Sequence, residues 1–111
     1  MPPAHAPSPP ALLILAPLIR GQKGEFKDLF AELLRKGYNR ARVDGQIVRL
    51  ADNLKLDRQM RHDIEVVIDR LTEESFEANR LAEAVERALN VGEGNLVVSG
   101  ETADIVGGLD S

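Results

Sequence analysis

The chain contains no cysteine. That excludes a disulfide framework and any cysteine-ligated metal site. Its two histidines, His5 and His62, lie far apart, and His5 sits in a proline-rich stretch. Neither a metal nor a cofactor is expected. There is no HExxH motif and no Ser/His/Asp set, so nothing supports catalysis by this chain alone. The GxxxxGK[ST] pattern of a P-loop is also missing. Long apolar runs are absent. The best candidate, ALLILA at Ala11 to Ala16, is ended by Pro17 and Arg20. It is far short of the ~20 residues needed to span a membrane. No Lys or Arg precedes it, as one would in a signal peptide. It reads as a buried strand in a cytoplasmic protein.

What is present is ordinary for one globular domain. The 111 residues are 43% hydrophobic and 29% charged. A chain of this size buries roughly 60–70% of its unfolded surface. The net charge of −4 is unevenly spread. Arg20 to Arg70 holds 12 Lys and Arg against 9 Asp and Glu, a balance of +3. Leu71 to Ser111 holds 2 against 9, a balance of −7. Such asymmetry fits a polar surface that discriminates between partners. A broad nucleic-acid platform would be basic overall.

Read for pattern, Met1 to Pro10 is a disordered tail with five prolines. Ala11 to Ile19 is a strand buried on both faces. Gly21-Gln22-Lys23-Gly24 is a loop. Phe26, Leu29, Phe30, Leu33 and Leu34 predict an amphipathic helix over Glu25 to Lys36, ended by Gly37. Ala51 to Asp57 is irregular, and His62 to Leu71 is a strand. Thr72 to Asn79 is an acidic connector. A second helix runs from Asn79 to Asn90, with Leu81, Val85, Ala88 and Leu89 as its stripe, Asn79 as its cap and Gly92 and Gly94 as its stop. Leu96-Val97-Val98 forms a last strand, and 100–111 is a loosely ordered tail. The order β-α-β-β-β-α-β predicts a single α+β domain: a mostly antiparallel sheet carrying two packed helices.

Between the first helix and the long strand lies GYNRARVDGQIVRL. Asp44-Gly45 supplies the two positive φ angles of a type I′ turn. Arg40 then faces Arg49, Ala41 faces Val48, Arg42 faces Ile47 and Val43 faces Gln46. Ala41, Val43, Val48 and Leu50 form a core face, and Arg40, Arg42, Arg49 and Ile47 form the other. Two arginines directly opposite each other repel, so an anionic group is expected nearby. Two sources are open. Asp63, Glu65 and Asp69, on one face of the next strand, could pair with the arginines inside the sheet. A partner could supply the charge instead. Parity places Arg70 awkwardly on the apolar face of that strand, so the strand is expected to end or twist there.

RGQKG contains a GxxG, the signature of a backbone-clamping KH loop. KH loops join two helices, whereas this one joins a strand to a helix. It reads as a plain β-to-α turn. His62, the one histidine of the folded region, reads as a strand start rather than a general base.

Three stretches occur in succession: LAPLIRGQKGEF, GYNRARVDG and HDIEVVIDRL. With NRLAEAVERALNVGEGNLVV they resemble the interaction domain of the UvrA family of excinuclease proteins, over about Leu12 to Val98. The resemblance implies a domain inserted in a larger damage-sensing ATPase of bacterial nucleotide excision repair. It implies docking onto UvrB, the excinuclease protein that receives the lesion, and a position near DNA. The positions matching the family's binding arginines are Arg40 and Arg70, with Arg42, Asp44, Glu65 and Asp69 bordering them. Lys23, Arg49, Arg58 and Arg61 are the DNA-proximal candidates. One departure is LDRQMRH, where the family has a lysine-rich stretch, and it weakens the case for DNA contact there. The ATP and zinc sites of the parent family are missing from this chain. It is expected to be a non-catalytic docking module and a monomer when isolated. The alternative is a phosphate-binding module using Lys23, Arg40, Arg42 and Arg49, whose affinity would fall steeply with salt.

Overall fold

In the computed structural model, residues 11–51, 53–74 and 76–100 are described. Both expected tails lie outside them, save Gly100. Among the described residues, five strands and two helices follow the expected order: β1 (Leu12–Lys23), α1 (Lys27–Arg35), β2 (Arg40–Val43), β3 (Gln46–Arg49), β4 (Arg61–Leu71), α2 (Ala78–Val91) and β5 (Val97–Gly100). The strands form one sheet in the order β3-β2-β4-β1-β5, antiparallel at every pairing. This is the α+β architecture the pattern predicts.

The hairpin has the expected register, with Arg40 opposite Arg49 and Val43 opposite Gln46. Asp44 (φ 53°) and Gly45 (φ 87°) make the turn. Helix α1 ends in a Schellman motif. The Tyr38 N–H donates to the Leu33 carbonyl and the Gly37 N–H to that of Leu34. Gly37, at φ 97°, takes the left-handed position that a side chain would disfavour. Asp28 in the first turn and Arg35 in the last complement the helix dipole.

One core unites both helices with one face of the sheet. Phe30 and Leu33 of α1, Ala84 and Ala88 of α2, and Ile14, Ala16, Ala41, Val43, Ile64, Val66, Ile68 and Leu71 of the strands are all buried in it.

Four expectations need correction. Strand β1 does not stop at Ile19. It continues through the predicted Gly21 to Lys23 loop, with Gln22 opposite His62 and Lys23 opposite Arg61. The extension is held at Gly21, whose N–H donates to Asp63 Oδ1 (2.7 Å) and whose carbonyl accepts from Arg61 Nη1 (2.9 Å). Helix α1 starts at Lys27, because Phe26 sits before it at φ 57°. Asn79 lies inside α2, and Glu77 occupies its N-cap. The fourth concerns β4. Ile14 pairs with Asp69 but Leu15 pairs with Val67, so Ile68 is an extra residue. Such a bulge shifts the side-chain alternation by one. It turns Arg70 outward and Leu71 inward, at 1% exposure. The awkward parity of Arg70 is thereby resolved. The same shift takes Asp69 off the face of Asp63 and Glu65.

Candidate functional site

The sheet face turned away from the helices carries the arginines. At its centre, Arg42 on β2 stands directly opposite Glu65 on β4. The two form an ion pair through Arg42 Nε and Glu65 Oε1. Arg42 Nη1 also donates to Ser99 Oγ on β5 (3.1 Å). Three strand spacings separate β2 from β5, about 14 Å in a flat sheet. One guanidinium bridges them only because the sheet curls toward this face. Arg42, Glu65 and Ser99 are all buried, as are Leu13 and Leu15. The in-sheet pairing considered from the sequence is thus realised by Arg42 and Glu65.

Arg40 and Arg49 sit further along the hairpin, opposite each other and exposed. Among the described residues, no carboxylate lies within ion-pair distance of either. They share a polar cleft of about 430 Å³ with Asn39 and Leu50. On its other side Arg40 borders a second cleft of about 280 Å³, walled by Tyr38, Val67, Ile68 and Arg70. Arg40 and Arg70, far apart in sequence, thus line one depression. The bulge at Ile68 makes this possible, since without it Arg70 would point into the core.

The acidic candidates have internal partners. Asp69 accepts from Arg80 on α2 through Nε (3.0 Å) and Nη2 (2.7 Å), and from the Arg70 N–H (2.8 Å). The Arg80 bonds, chiefly, hold its carboxyl below the usual range. Asp44 accepts from the Asp63 N–H (2.9 Å) and bonds His62 Nδ1 (2.7 Å). Burial pushes the Asp44 carboxyl up, but these two bonds outweigh it and leave the pKa lowered.

His62 is more than a strand start. It is 5% exposed, and its Nε2 lies 2.7 Å from the Asp57 carbonyl. A carbonyl and a carboxylate both only accept, so the charged imidazole, with both ring nitrogens donating, is the form that satisfies both contacts. Its pKa is raised, first by the bond to Asp44, then by that to Asp57, against the opposing effect of burial. His62 therefore ties the hairpin turn to the loop before β4. A lone histidine beside a turn aspartate gives little sequence signal for this, because their positions are 18 apart.

The DNA-proximal candidates divide between the two ends of the sheet, with Arg49 apart from the others. Lys23 and Arg61 face each other at the far end of β1 and β4, and Arg61 is engaged with Gly21. Arg58 is exposed in the turn before β4. Among the described residues, no group of His, Asp or Glu is placed to hold a metal ion, and no helix is long and apolar enough to cross a membrane.

Fold and face together define a small α+β domain whose sheet carries a buried ion pair at the centre of one face and exposed arginines at its rim. The chain belongs to the UvrA interaction domain family, whose pattern it matches over residues 4–102. It is similar to UvrABC system protein A of Streptomyces avermitilis, with 53% identity over 85 residues, 77% of this chain and 8% of that protein. UvrABC system protein A of Deinococcus radiodurans is 50% identical over 88 residues, and that of Thermus thermophilus 51% over 88, each covering 78% of this chain and 9% of the relative. The chain thus spans under a tenth of the length of the curated relatives it matches.

Proposed function

We propose that this domain is a non-catalytic docking module that binds UvrB in nucleotide excision repair. Arg40 and Arg70 form the centre of the contact. The observation that carries this reading is their convergence on one cleft, with Arg40 exposed and lacking a carboxylate among the described residues. Arg49 extends the cationic strip. Arg42, Glu65 and Asp69 hold the surface in shape, and Asp44 fixes the turn that presents it.

Charge pairs at a polar rim set specificity and association rate more than raw affinity. A Kd near micromolar follows, about −8 kcal/mol. The test is a calorimetric titration of the domain with purified UvrB at low and moderate salt. Saturable one-to-one binding that weakens with salt is expected. Arg40→Glu and Arg70→Glu should each abolish most of it while leaving the melting transition in place. Full-strength binding by both variants sinks the proposal.

The phosphate-binding alternative is less well supported. Arg42 is committed to Glu65 and Ser99, and Lys23 lies at the opposite end of the sheet from Arg40 and Arg49.

A further inference from the structure

Helix α2 packs in an unusual sense. Its fully buried residues are the small ones, Ala84 and Ala88. The larger Val85 and Leu89, expected from the sequence to be core, stay partly exposed. Leu81, Val85 and Leu89 recur every fourth residue and form a ridge beside the core-facing stripe. With Phe76, which is 48% exposed, they line a groove of about 600 Å³. Apolar side chains at helical spacing beside carboxylates are the features an amphipathic partner helix would meet.

The groove's surroundings specify its occupant. Glu83 and Glu86 line it, and the exposed Glu73, Glu74 and Glu77 precede it. The two cations of the helix face elsewhere. Arg80 is bonded to Asp69, and Arg87 lies close enough to Asp69 to help depress its pKa. An apolar floor with an acidic rim requires an occupant with an apolar stripe flanked by positive charge. Residues 1–10 contain no Lys or Arg, and residues 101–111 carry only acidic charges, Glu101, Asp104 and Asp110. Neither terminal segment fits. A second copy seated groove to groove would bring glutamates against glutamates.

We propose that the outer face of α2 is a second docking site, distinct from the arginine face, for a cationic amphipathic helix that lies outside these 111 residues. An amphipathic helix laying its apolar stripe into a groove is an established mode of recognition. The site does not depend on Arg40 or Arg70, and it gives the acidic half of the molecule a partner of opposite charge to the one the arginines take.

The test uses the full 111-residue chain, isotope-labelled, observed by NMR. The probe is a synthetic helix of about four turns, leucines on one face and lysines on the other. A shuffled peptide of the same composition, without a stripe, is the control. The expected result is saturable amide shifts at Phe76, Val85, Glu86 and Leu89, with the control at least about tenfold weaker. Glu83→Lys with Glu86→Lys should weaken binding about tenfold, while Arg40→Glu leaves it unchanged. If the lysine variant fails to fold, Glu83→Gln with Glu86→Gln gives the same reading with a loss of about threefold. Equal shifts from the shuffled peptide overturn the proposal, since charge alone would then explain binding. It is also overturned by a lack of saturation, by contacts between the groove and residues 1–10 or 101–111, or by a dimer that Val85→Asp dissociates.

Discussion

Arg40 and Arg42 stand two residues apart on the same strand and the same face, yet they live in different environments. Arg42 is buried and spends its charge inside the molecule, on Glu65 and Ser99. Arg40 is exposed beside Arg49, across from like charge. The centre of the face is a finished polar interior, and the rim stays exposed. Proximity in sequence therefore says little about whether an arginine is structural. What decides is which strand lies next to it, and at which register.

The largest effect should come from breaking the centre. Glu65→Ala strands a buried guanidinium, and losing one member of such a pair costs about 3–5 kcal/mol. A fall of that size in the urea-unfolding free energy is expected. Glu65→Leu combined with Arg42→Met should recover most of it, because an apolar pair of similar volume needs no partner charge. A single variant as stable as the parent would show that the pair is not desolvated.

A smaller effect should appear with pH, through His62 and Asp44. The folded-state pKa of His62 is raised above its ordinary 6.5. Its contribution to stability is therefore complete below pH 6.5 and is lost as pH rises through the raised value. The folded-state pKa of Asp44 is lowered from 3.8, so its contribution is present above that pH and is lost as pH falls through the lowered value. Unfolding midpoints should decline from mildly acidic to alkaline pH, and His62→Gln should flatten that slope. An NMR titration placing the His62 pKa at or below 6.5 would contradict the assignment.

The smallest effect belongs to the rim. Arg40→Glu should change stability by no more than about 0.5 kcal/mol. The sign should favour folding by a few tenths, because the new carboxylate would face Arg49 instead of a second guanidinium. Thermal melts set beside UvrB titrations would separate the two regions cleanly. Binding should collapse at the rim without loss of fold, and fold should suffer at the centre.

Where the signal is local, the sequence is easily read. Asp44-Gly45 sets the hairpin register by itself, and the spacing of Leu29, Phe30 and Leu33 together with Gly37 locates α1 and its C-terminal cap. The features that escape depend on distant pairings. The bulge at Ile68 exists only because β4 must fit β1, and no residue type announces it. It shows in advance only as the misplaced parity of Arg70. The burial of Arg42 depends on Ser99, 57 positions away and reached only by the curl of the sheet. Val85 and Leu89 follow a helical stripe as a core residue would, and periodicity cannot distinguish a stripe facing the sheet from one facing a partner. For the candidate site, Arg40 was visible from its face and Arg70 from its resemblance to a family motif. Their shared cleft was visible from neither.

The pairing of β1 with β5 has a consequence for architecture at a larger scale. Leu12 and Gly100 are directly opposed on adjacent strands. Everything between them is a loop closed at its base, with a mouth of about one strand spacing, ~4.8 Å. A longer polypeptide could open at a single surface turn, accept this whole body and resume its course almost where it left off. Nothing in the host would need stretching. A circularly permuted version with Leu12 and Gly100 linked should keep the same sheet.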